Sequence, residues 1–162
     1  MNALDIFGLQ FVLSIAVFSL LAIRLVRPWL NGMPISDALF WLTLPHAFRH
    51  IGMVFLVPGV VAPTMPGSFA LAAAYGDLAA GILALVTLVA IHLQWRAMIA
   101  LTWLYTIVGL VDLANALGQV GVVPHFQSAW YIPSFLVPLL LVTHFMVLAR
   151  LAVRFRKSLK AA

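Results

Sequence analysis

Five runs of about 20 apolar residues, divided by short links, dominate this chain and leave it little choice of solvent. They cover roughly 5–27, 38–61, 69–93, 97–118 and 129–152. Each is long enough to cross a bilayer core as a helix, at 1.5 Å per residue. The links carry the residues that stop helices: Pro28, Asn31-Gly32 and Pro34, then Ala62-Pro63 to Pro66-Gly67, then Gln94–Arg96, then Gly121 to Pro124. Ser36 and Asp37 read as the N-cap region of the second run. The runs lack period-two alternation and exceed strand length, so a membrane β-barrel is excluded. The expected fold is all-α, a polytopic membrane protein built as one five-helix bundle spanning residues 1–162.

Composition agrees. Of 162 residues, 65% are hydrophobic and 8% charged, against about 25% charged in a soluble domain. No separate soluble domain fits beside the five runs. The absence of cysteine excludes disulfides, thiolate metal sites and iron–sulfur clusters. The net charge of +5 arises at the segment ends, where it reads as topology signal and lipid contact and not as a nucleic-acid surface.

The first run reads as a retained helix, because Asp5 precedes it and Arg24 and Arg27 follow it, the reverse of a secretory signal. With the N-terminus outside, Arg24, Arg27, Arg96, Arg150, Arg154, Arg156, Lys157 and Lys160 share the cytoplasmic side. The opposite links, 62–68 and 119–128, hold no Lys or Arg. The positive-inside rule therefore predicts an outside N-terminus, a cytoplasmic C-terminus and a multi-pass protein of a bacterial-type inner membrane. Pro45 either kinks the second span or begins it, leaving 37–44 as an interfacial helix in the second case.

Against this background the charges inside the runs stand out. The second carries His46, Arg49 and His50, the third Asp77, the fourth Asp112 and the fifth His144. An ionised group at mid-bilayer costs about 2.5–3.5 kcal/mol on insertion scales, so such groups face partners or water and mark functional sites. On an α-helix His46, Arg49 and His50 share one face. Arg49 and Asp77 lie about 7–8 Å apart along the membrane normal, within an arginine's reach. Ala73, Asp77, Ala80, Gly81 and Ala84 form a small-residue stripe that turns Asp77 toward another helix. Tyr105, Gly109, Asp112, Asn115 and Ala116 line one face of the fourth span, and Thr143 adjoins His144. Tyr105, Asn115 and Thr143 thus support the charged set. The first span is almost wholly apolar and expected at the periphery.

Several chemistries suit these residues. Two aspartates and one arginine leave one negative charge over, so a carboxyl or a histidine must hold a proton. This favours binding or transport of a small molecule or ion with protonation coupling, through His46, Arg49, His50, Asp77, Asp112 and His144. One alternative is a divalent metal on His46, His50 and His144. A zinc metalloprotease is excluded because Ala47 stands where its glutamate belongs and the chain has no glutamate. A second alternative is a haem between His46 or His50 and His144, giving a redox protein. A third is a structural or accessory subunit, in which Arg49 merely pairs with an aspartate. The bilayer is the expected partner, and small-residue faces permit homo-oligomers. His92 is expected to snorkel, and Val122–Ser134, with His125, to form an aromatic belt or a lid.

Overall fold

The computed structural model describes residues 1–161, with side chains as far as Phe155. Arg156, Lys157 and Lys160, counted above among the basic residues, lie outside the described side chains. The described residues are helical with no strand. Four helical stretches are long and apolar enough to cross a membrane: Ala3–Asn31, Gly67–His92, Met98–Leu117 and Gln127–Phe155. The protein is a membrane protein by that criterion.

Helix α1 (Ala3–Asn31) starts at a capping box, in which the Asp5 amide donates to Asn2 Oδ1 (2.9 Å) and the Asn2 amide to Asp5 Oδ2 (3.0 Å). Only Phe7, Ala22 and Leu30 along it are buried, while Leu9, Val12, Leu13, Val17 and Leu20 are exposed. Exposed leucine and valine on that scale make it the peripheral, lipid-facing helix expected. A π-helical turn, Ala22–Val26, interrupts it before the basic end.

Helix α2 (Ile35–Ala47) starts earlier than the sequence suggests. Pro34 occupies the cap position, no side chain caps the helix, and Ser36 donates to Asp37 instead (3.3 Å). Pro45 lies inside α2, not at its start, and the chain then tightens into a 3₁₀ helix, Phe48–Leu56. This change of period alters the predicted face. At three residues per turn, positions i, i+3 and i+6 fall in line, and Arg49, Gly52 and Phe55 are indeed the buried residues of the segment. His50 falls off that line and is exposed.

Helices α3 (Gly67–His92) and α4 (Met98–Leu117) follow, then short 3₁₀ turns (Val120–His125, Gln127–Trp130), a π-helical turn (Ile132–Leu136) and α5 (Val137–Ala161). On α3 the stripe Ala73, Ala80, Gly81 and Ala84 is buried, as predicted. A Cβ on Gly81 would sit 3.2 Å from the His50 amide nitrogen and 3.6 Å from the Ala47 carbonyl oxygen. The stripe therefore admits the backbone of the second segment at close range.

The core is layered. At the basic end Leu30, Leu39, Leu42, Ile91, Val147 and Leu151 form one apolar cluster. At the other end Phe7, Phe55, Phe69 and Phe126 form a second. The segment 35–56 contributes to both, so it runs the length of the bundle even though no unbroken α-helix does so there. The polar layer lies between them.

Candidate functional site

Arg49 is the centre of that polar layer and 1% exposed. Its Nε donates to Asp77 Oδ1 of α3 (2.8 Å), and its Nη2 donates to Asp112 Oδ2 of α4. Its Nη1 donates to the Gly109 carbonyl (3.1 Å), also of α4. Three of the five guanidinium N–H groups are thereby used. One side chain from the 3₁₀ segment thus ties together α3 and α4, and the charges compensate away from lipid.

Glycines make the room. A Cβ on Gly52 would overlap the Asp77 carboxylate, and one on Gly76 would overlap that of Asp112. A Cβ on Gly109 would lie 2.7 Å from both Arg49 Nη1 and His144 Nε2. Each charged side chain of the trio is seated against a bare Cα on a neighbouring segment. His144 accordingly lies beside the guanidinium.

The two histidines predicted from different spans also meet. The His46 and His144 rings are fully buried with centroids 3.9 Å apart, and Tyr105 flanks them at 5.4 and 5.8 Å. Thr143 Oγ1 sits 3.0 Å from His46 Nε2 and donates to the Leu139 carbonyl at 2.9 Å. The Thr143 hydroxyl thus bridges the His46 ring and the backbone of its own helix, and the direction of its bond to the ring follows the histidine tautomer. His46 Nδ1 and both nitrogens of His144 have no hydrogen-bond partner among the described residues. Tyr105 accepts a hydrogen bond from Thr43 (3.1 Å), a fully buried threonine that the sequence pattern does not single out.

Two predicted members are elsewhere. His50 is exposed and its Nδ1 is 2.9 Å from the Ala47 carbonyl oxygen, within its own turn. Asn115 is exposed, because Tyr105, Gly109, Asp112 and Ala116 follow the inward stripe at i, i+4, i+7 and i+11 and Asn115 is rotated off it. The three-histidine metal set is consequently not assembled, and no three metal-ligating residues converge among the described residues. The His46–His144 pair is also unsuited to haem in this arrangement. A porphyrin must pass between its axial rings, and these touch.

Asp77 and Asp112 are 13% and 14% exposed, and both line one cavity of about 40 Å³. Phe7, Phe55, Phe69 and Phe126 line it with them. Phe126 is buried, its ring 6.0 Å from Phe69, 6.1 Å from Phe55 and 6.2 Å from Phe7. In the segment 122–134, Val122, Val123, Phe126 and Ala129 are buried, with Val123 and Phe126 lining this cavity, whereas Tyr131 remains exposed. His125 ties this segment to the 62–64 link. Its carbonyl accepts from the Ala62 amide (2.9 Å) and its Nδ1 pairs with Thr64 Oγ1 (3.0 Å).

Helices long and apolar enough to cross a membrane, packed around buried charge, define the class: a helical membrane protein with a buried ionic cluster. Within that class the chain belongs to the family described as Domain of unknown function (DUF8737), which matches residues 6–152 and so takes in every residue of the site. No curated protein and no solved structure matches it.

Proposed function

We propose that this protein crosses a bacterial-type inner membrane five times, N-terminus outside and C-terminus cytoplasmic, and that it binds or carries a proton or small ion at Arg49, Asp77 and Asp112. The observation that carries the reading is one guanidinium shared by two carboxylates that line the same small cavity. Fully ionised, the trio bears one negative charge, so a proton or a cation completes it.

Size favours the smallest occupants. A water needs roughly 10–15 Å³ of such space, so about 40 Å³ holds a few water-sized species and no organic substrate unless the aromatic cluster moves. His144, beside Arg49, and His46, against His144, extend the polar layer from the trio toward the basic end, where they serve as proton relays. The five-crossing topology rests on the run of segment 35–56 between the two apolar clusters and on the basic residues at one end.

Proteoliposomes enclosing a pH-sensitive dye test the assignment. Under an imposed proton gradient, wild-type vesicles are expected to equilibrate faster than vesicles holding the paired variant Arg49→Gln, Asp77→Asn, which leaves no stranded arginine. Equal rates for the two would refute it.

A further inference from the structure

Away from the ionic site, a groove of about 940 Å³ opens between α1 and α5 at the basic end. Its walls include Ala22, Ile23, Phe145, Met146 and Val153, and its rim carries Arg27, Arg150 and Arg154. No acidic residue lines it among the described residues. We propose that this groove is a binding site for one anionic phospholipid, whose phosphate lies among the three arginines and whose acyl chain follows the apolar walls.

The backbone is shaped for this. In the π-helical turn Ala22–Val26 the Arg27 amide donates to the Ala22 carbonyl, five residues back. An α-helical turn would set residue 26 above Ala22. The inserted residue instead stacks Arg27, and then Asn31, above Ala22 on the side facing α5. Asn31 Oδ1 then accepts from Arg150 Nη2 (2.9 Å), which orients that guanidinium across the groove from Arg27. Arg150 and Arg154 are four apart on α5 and share a face.

Three guanidiniums around one end of an apolar cleft complement a phosphate joined to hydrocarbon. A soluble anion would leave the cleft unfilled, and a zwitterionic lipid would set its own cation against the arginines. The groove lies on the lipid-exposed side of α1, so a lipid enters it laterally.

Native mass spectrometry of the purified full-length protein in neutral detergent provides the test. The protein is first supplied with equal amounts of phosphatidylglycerol and phosphatidylcholine. One phosphatidylglycerol per chain is expected to persist in preference to phosphatidylcholine. Arg27→Gln and Arg154→Gln should each weaken retention about five-fold, the equivalent of about 1 kcal/mol per basic residue. Ala149→Trp, which fills the groove and leaves every charge in place, should abolish retention, with an unchanged helical circular dichroism spectrum as the folding control. Equal retention of the two lipids, or retention unaltered in both Arg27→Gln and Ala149→Trp, would overturn the proposal. Displacement of the lipid by inorganic phosphate alone would also overturn it, since the site would then recognise the free anion.

Discussion

Gly52 faces Asp77 so closely that a methyl group on its Cα would occupy the space of the carboxylate. The acid on α3 and the bare backbone of the 3₁₀ segment are therefore one fitted pair. Gly52→Ala should expel the Asp77 side chain from its bond to Arg49 and destabilise the protein by about 1–3 kcal/mol, the usual range for overpacking. Thermal unfolding in detergent measures this. Gly8→Ala, where nothing lies within 4 Å inside a helix, is the control and should leave the midpoint unchanged or raise it slightly.

Removing the arginine alone should be worse than removing the whole trio. Arg49→Met leaves Asp77 and Asp112 largely buried without their cation, a loss of about 3–5 kcal/mol. Adding Asp77→Asn and Asp112→Asn to that variant should recover most of the loss. A triple variant no more stable than Arg49→Met would show that the charges are not what hold the three segments together.

Thr143 provides a cleaner test of a single bond. Thr143→Val keeps the shape but takes away the hydroxyl paired with His46 Nε2 in a buried site. A loss of about 1–3 kcal/mol is expected, read from the same unfolding midpoints. Thr64→Val, at an exposed bond to His125, should cost much less.

Stability and function should separate at His144. Both of its ring nitrogens lack partners among the described residues, so burying an imidazole there brings no hydrogen-bonding return. His144→Phe should leave the unfolding midpoint unchanged or raise it, while slowing proton equilibration in vesicles. A variant with normal flux would remove His144 from the relay.

Much of this architecture can be read from the residues, and what cannot has a physical reason. The helical segments are legible because hydrophobic length is a local property of the chain. The inward face of α3 is legible because Ala73, Ala80, Gly81 and Ala84 recur at the helical period around Asp77. His50 is misjudged because the period itself changes after Pro45. Nothing in Phe48–Leu56 declares three residues per turn until α3 is packed against it, and with 3.6 the face turns. Asn115 fails for a smaller reason, one position of rotation on an otherwise correct stripe. Gly52 and Gly76 are silent in the sequence, since a glycine that makes space means nothing before the side chain it accommodates is known. The cluster of Phe7, Phe55, Phe69 and Phe126 is equally hidden, because these residues come from four separated parts of the chain with no spacing to link them.

The 3₁₀ stretch also alters the vertical reach of the second segment. Such a helix climbs about 2.0 Å per residue against about 1.5 Å for an α-helix, so nine residues rise as far as about twelve would otherwise. By stretching where Arg49 and Phe55 lie, segment 35–56 reaches both apolar clusters while keeping its cation in the polar layer between them.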